Sequence, residues 1–237
     1  MAFSAIYKYD IMNIAPIVLA QIGIMRKPHG ANRRHDIMNI ESIVLIFRTT
    51  KGCVTMPIPQ KQLYTEADYY NIPEDVRAEL IDGQIYYQAA PSRIHQEILM
   101  ELSATIRDYI KSKNGSCKVY PAPFAVKLQK NRKTIVEPDI SVICDRDKLT
   151  DKGCTGAPDW IIEIISPSNP SHDYITKLNL YSDAGVREYW IINPINQSIY
   201  VYHLETTQFE TTAYTFEDTI KVNIYEDLFI DFSELEL

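Results

Sequence analysis

The sequence predicts an α/β fold with a mixed central sheet flanked by helices, and three observations predict it. Apolar residues recur at helical spacing between residues 92 and 113. Residues 160–165 form a nearly all-apolar run of strand length, and a helical segment separates that run from another apolar strand. A strand, a helix and a strand in that order imply one crossover after the central strand.

The elements follow in order. Residues from Met56 read as an entry segment leading into a short helix capped by Thr65. Residues 78–87 carry a hairpin signature, with Asp82-Gly83 supplying the positive φ angles of a tight turn. Residues 92–113 form the long amphipathic helix, with Ile94, Ile98, Leu102, Ile106 and Ile110 as its apolar stripe and Gly115 as its end. Two strands follow, 117–128 and 134–144, joined by a basic turn at 129–133. Residues 160–165 read as a strand buried on both faces. After the Ser- and Pro-rich turn 166–171, a helix capped by Ser171 runs to Ala184 and stops at Gly185. Strands at 187–192, 198–204 and 209–216 come next, and residues 220–237 hold one more strand and a short acidic helix.

Composition narrows the class. Of the 237 residues, 46% are hydrophobic and 23% charged, enough for a real core in a globular chain. The formal net charge of -7 argues against a general nucleic-acid coat and against membrane-surface binding, while leaving room for a locally basic groove. Cys53, Cys117, Cys144 and Cys154 form no C-x-x-C pair and no Cys/His cluster. That spacing argues against zinc and against a secreted disulfide framework, so a reduced, cytoplasmic setting is expected. The apolar stretch 15–25 is shorter than the roughly 20 residues a bilayer span needs, and no clean cleavage site follows it.

The first 55 residues read apart from the rest. Residues 10–19 return almost unchanged as residues 36–45, with a basic tract at 26–35 between the copies. Two copies fall short of the three that a solenoid needs. Three readings stand: a regulatory extension, a poorly ordered leader, or translated sequence ahead of a natural start at Met56. The expected organisation is a poorly ordered extension over 1–55 and one domain over 56–237.

Glu163 is the most informative residue, a lone carboxylate inside an apolar strand. Burying it demands a cation, a metal or hydrogen-bond donors. Alternation places Asp159, Ile161, Glu163 and Ile165 on one face. Asp139 starts the preceding strand, so neighbouring strands would bring the two acids together as a magnesium-type site. The competing reading is that Glu163 pairs with a buried Arg or Lys and Asp139 caps a loop. Asp173, Lys177 and Tyr181 share one helical stripe. The Lys177 ammonium is either a helper at the acidic pair or half of a surface Asp–Lys pair. Glu79 is a third acid or a solvated residue on an edge strand. His95 is a packing residue or a ligand. Lys127, Lys130, Arg132 and Lys133 either touch a phosphate backbone or form a solvated hairpin tip.

Several of these residues fall into one pattern. Pro138-Asp139 comes first, then residues 158–168 (PDWIIEIISPS). Asp173, Lys177, Tyr181, Gly185-Val186 and residues 188–190 (EYW) follow. With residues 79–83 (ELIDG), Pro91-Ser92 and His95, the chain from about Tyr64 onward resembles the Uma-two family of restriction-endonuclease-like proteins. The resemblance implies the PD-(D/E)XK nuclease fold. It makes Asp139 the first acid, Glu163 the second, the main-chain carbonyl of Ile164 a further metal ligand and Glu79 an auxiliary acid. The wider nuclease pattern has a lysine two residues after the second acid, where this chain has Ile165. The resemblance implies that Lys177 supplies it from the next helix, which a flexible four-carbon stem can do.

The expected function is a magnesium- or manganese-dependent endonuclease acting on DNA, with a homodimer suited to cutting both strands. The alternative is a non-catalytic nucleic-acid-binding or assembly module on the same fold.

Overall fold

The computed structural model describes residues 47–49, 52–54, 62–128, 133–166, 176–205 and 210–235. The chain divides into two units, Met1–Pro59 and Gln60–Leu237. In the first, β1 (Phe47–Thr49) and β2 (Gly52–Val54) pair antiparallel. The duplicated segments, the basic tract and Met56 lie outside the described residues.

The second unit opens with α1 (Glu66–Tyr70), five residues held by a capping box between Thr65 and Asp68. β3 (Ala78–Ile81) and β4 (Gln84–Tyr87) form the expected hairpin, with φ of 48° at Asp82 and 77° at Gly83. Two successive positive φ angles suit the twist of the flanking strands. The long helix, α2 (Arg93–Ser112), is capped by Ser92, whose hydroxyl accepts from His95 N at 3.3 Å. Its end differs in detail from the expectation. The left-handed residue is Asn114 (φ 53°), and Gly115 N donates to Ile110 O at 2.8 Å. Asparagine tolerates that region well enough to take the role expected of the glycine.

The two long strands expected next are each broken in two. Residues 117–128 give β5 (Lys118–Pro121) and β6 (Val126–Lys127), and residues 134–144 give β7 (Ile135–Val136) and β8 (Ile140–Ile143). Pro121, Pro123 and Pro138 sit at or beside the breaks. Proline removes a ladder donor and fixes φ, so the chain leaves one sheet and joins another there. Two short strands, β9 (Leu149–Thr150) and β10 (Gly153–Thr155), precede the central strand β11 (Trp160–Ile164). α3 (Leu178–Ala184) crosses over and stops at Gly185, with φ of 90°. β12 (Glu188–Asn193), β13 (Ser198–His203) and β14 (Glu210–Thr215) complete the larger ladder. The tail holds two strands rather than one, β15 (Thr219–Lys221) paired with β16 (Phe229–Asp231), and then a single 3₁₀ turn.

The mixed α/β class expected from the sequence holds, with the strands shared between two six-stranded sheets, ordered β4-β3-β7-β6-β10-β9 and β14-β13-β12-β11-β8-β5. β11 runs parallel to β12 across the α3 crossover and antiparallel to β8. Alternation along β11 divides the core. Trp160, Ile162 and Ile164 pack with α2 residues Ile98, Leu102 and Ile106. Ile161 and Ile165 pack with Tyr181 of α3 and with Ile81, Val126 and Val136 of the first sheet. Glu163 belongs to that second face, between the two sheets.

One expectation about cysteine is corrected. Cys117 and Cys144 form a disulfide, while Cys154 is free and buried. They flank β5 and β8, whose register sets Lys118 opposite Ile143, so one step outward brings the two thiols face to face. Spacing in sequence carried no sign of this, because the pairing of the strands creates it. Among the described residues no helix is long and apolar enough to cross a membrane.

Candidate active site

The site assembles where β8 begins and β11 ends. Ile140 lies opposite Ile162, and the same antiparallel register carried one residue further sets Asp139 against Glu163. Both carboxylates are buried, at 8% and 5% exposure. Asp139 Oδ2 accepts a hydrogen bond from Ile164 N at 2.8 Å, so the first acid grips the backbone next to the second. His95 Nε2, from the first turn of α2, stands 3.2 Å from the same oxygen.

Lys177 reaches this point from the entry of α3, in a wider π-type turn at Thr176 and Lys177 that precedes Leu178. Its ammonium lies 2.9 Å from Glu163 Oε1 and 3.1 Å from Glu79 Oε1, with the residue 2% exposed. Lys177 is therefore no surface residue, and Glu163 has the buried lysine partner that the reading set against metal binding called for; Asp173 lies outside the described residues. Glu79 is likewise no solvated edge residue. It is 2% exposed on β3, one strand in from the β4 edge, and Oε1 also accepts from Glu137 N at 2.9 Å. Tyr181, one helical turn beyond Lys177, donates its hydroxyl to Glu163 Oε1 at 2.6 Å. Burial and the negative charges of Glu163 and Glu79 hold its phenol well above the usual value, so it stays a neutral donor.

Glu79, His95, Asp139, Glu163 and Lys177 line one cavity of about 90 Å³, with Arg77, Tyr86, Gln88 and Ser166 among its other walls. Arg77 Nε pairs with Glu137 Oε2 at 3.3 Å, and Tyr69 Oη donates to Glu137 Oε1 at 2.9 Å. Among the described residues no three His, Cys, Asp or Glu side chains cluster tightly enough to cage a metal ion. Magnesium does not need such a cage, since it keeps several waters and takes one or two carboxylates. Among the described residues three buried carboxylates, Glu79, Asp139 and Glu163, share this lining with two cationic side chains, Lys177 and Arg77, so oxygen ligands outnumber the cations that could neutralise them. The donor set of Asp139, Glu163 and the Ile164 carbonyl fits magnesium and suits zinc poorly.

A family model described as "Putative restriction endonuclease" (Uma2) matches residues 66–233. The chain belongs to the Uma2 family. Its similarity to "Uncharacterized protein slr1290" of Synechocystis sp. (strain ATCC 27184 / PCC 6803 / Kazusa) is 28% identity over 127 residues, 53% of this chain. The chain spans 65% of the length of that relative. A crystal structure described as "a putative nuclease belonging to DUF820" from Anabaena variabilis ATCC 29413 superimposes with a TM-score of 0.60 at 22% identity. That match covers 72% of this chain and 96% of the other. It shows that the fold is shared.

In this Uma2 domain Asp139, Glu163, Ile164, Lys177 and Glu79 all line the one cavity. The structure does not bring Lys127 or Lys133 into the cavity. Lys127 forms an ion pair with Glu66 and Lys133 is exposed, while Lys130 and Arg132 lie outside the described residues. Sequence reading passed over Arg77, Tyr86 and Gln88 and left His95 open. The available signal was the hairpin itself, because alternation from Glu79 puts Arg77 on the same face and its partner positions Tyr86 and Gln88 opposite.

Proposed function

We propose that this Uma2 domain is a magnesium-dependent endonuclease that hydrolyses DNA phosphodiester bonds. The observation that carries the reading is the meeting of Lys177 with Glu163, which supplies from α3 the cation that Ile165 cannot. Asp139, Glu163 and the carbonyl of Ile164 are the residues that would hold the metal. When bound, magnesium supplies Lewis-acid polarisation of the phosphate.

The chain's own groups do the rest. The Lys177 ammonium orients the attacking water and offsets charge that builds on the phosphoryl oxygens. Tyr181 keeps Glu163 in one rotamer and, remaining protonated, never competes with it for a proton. Glu79 holds the ammonium from the other side and ties it to the backbone at Glu137. The ends of β8 and β11, with Ile161 and Ile165 packed around Tyr181, keep bulk water from the lysine.

Cleavage of supercoiled plasmid by the full chain tests this, with magnesium or manganese, beside Asp139→Ala and Lys177→Ala. Cutting by the parent with at least tenfold loss in both variants supports the reading. An inert parent, or variants that cut as well as the parent, removes it.

A second reading has its own support. The ammonium sits between two carboxylates, an arrangement that also satisfies a non-catalytic nucleic-acid-binding or assembly module. An inert parent that still retards DNA in a gel selects this second reading.

A further inference from the structure

The β3–β4 hairpin presents two different surfaces. Arg77, Glu79, Tyr86 and Gln88 face the catalytic cavity. On the opposite face Val76, Ile85 and Tyr87 line a second, larger groove of about 400 Å³, with Tyr64, Asp68, Asn71, Ile72 and Pro73 completing its wall. Tyr87, the last residue of the edge strand, lines both. It is 70% exposed, and Val76 beside it is 38% exposed. Exposed apolar groups that meet in one concave place mark an interaction surface.

Polar groups on the cavity side also keep hydrogen-bonding capacity that no described residue uses. Arg77 spends only Nε on Glu137 among the described residues, so its two terminal nitrogens keep their donors. Gln88 Oε1 is buried at the rim of the cavity without a hydrogen-bond partner among the described residues, and so is His95 Nδ1 deeper in. A buried polar atom is stable only with a hydrogen-bond partner, so both atoms mark where a ligand or a water binds.

We infer that the β4 edge carries a nucleotide subsite beside the scissile bond. The Arg77 guanidinium takes the adjoining phosphate, Gln88 hydrogen-bonds the sugar or base edge, and Tyr87 stacks the flanking base in the outer groove. This rests on the nuclease reading of the neighbouring cavity and names its substrate class. A strand that turns over the sheet edge passes directly from one pocket to the other, because one tyrosine borders both. A base can stack on Tyr87 only when it has left a duplex stack, so the preferred substrate is single-stranded DNA or a frayed end. Glu137 and Tyr69 are positioning residues: they hold Arg77 without reaching the strand.

The test uses the full chain and a single-stranded oligodeoxynucleotide with 2-aminopurine moved along it one position at a time, in EDTA and again with calcium. Quenching at one position is expected, retained in Tyr87→Phe and lost in Tyr87→Ala. Affinity for the single strand falls about tenfold or more in Tyr87→Ala, stays within about twofold in Tyr87→Phe, and exceeds affinity for the matching duplex. Arg77→Gln weakens binding and flattens its salt dependence by about one counterion. Because Tyr87 lies mostly in solvent, its replacement leaves the fold intact, which circular dichroism checks. Unchanged affinity in Tyr87→Ala, absence of quenching, or tighter binding of duplex overturns the subsite. Quenching without plasmid cleavage keeps the subsite and removes the nuclease reading; cleavage without quenching does the reverse.

Discussion

Lys177 Nζ lies 2.9 Å from Glu163 Oε1, and the two residues come from a helix entry and a central strand. Removing one partner of a buried pair leaves the other charge stranded at a cost of about 3–5 kcal/mol. Lys177→Met is therefore expected to lower both urea stability, by about that amount, and plasmid cleavage, by tenfold or more. Adding Glu163→Gln to it should recover part of the stability and none of the cleavage.

Tyr181→Phe keeps the ring in the core and deletes the hydroxyl that Glu163 accepts. A hydrogen bond to a charged group contributes about 1.5–3 kcal/mol. The variant is expected to lose stability in that range, read from urea midpoints at constant slope. Its cleavage should fall less than that of Lys177→Met, since the ammonium stays.

Alkaline pH should destabilise the fold through tyrosines. Burial raises the phenols of Tyr181 and Tyr69, and raises Tyr225 to about 12. A tyrosine with a raised folded pKa keeps its proton in the native chain and loses it in the unfolded one. Stability is then complete below about pH 10 and declines as pH rises beyond it. Urea titrations between pH 8 and pH 11 are expected to show that decline, with a shallower slope in Tyr181→Phe. A flat profile would remove the argument.

Metal binding can be separated from cutting. Calorimetric titration with manganese should show at least tenfold weaker binding in Asp139→Ala. Glu79→Gln should bind within a few-fold of the parent, because that side chain faces the ammonium rather than the proposed donor set. Equal losses in both variants would place Glu79 among the ligands instead.

Much of the fold was legible because its signals were local. The Asp82-Gly83 turn, the Ser92 cap and the Gly185 stop each depend on a few adjacent residues. Glu163 announced itself as a charge inside an apolar strand, and Asp139 could be paired with it once β8 and β11 were taken as neighbours. What escaped was tertiary. The breaks at Pro121–Pro123 and Pro138 turned two strands into four, shared between two sheets. The Cys117–Cys144 bond follows from that strand pairing, not from cysteine spacing. The burial of Glu79 followed from β4, and not β3, being the edge strand. Arg77 and Gln88 look like ordinary surface residues until the hairpin faces the cavity.

The bond from Ile164 N to Asp139 Oδ2 has a consequence for assembly as well as for chemistry. A one-residue slip between β8 and β11 would turn every side chain on one strand to the wrong face, and it would also deprive the buried Asp139 of that donor. Misassembled chains thus carry an unanswered charge that correctly folded chains do not. The residue proposed to hold the metal also proofreads the strand pairing on which the pocket depends, so a damaged acid at position 139 should raise the fraction of misfolded chains as well as stop the reaction.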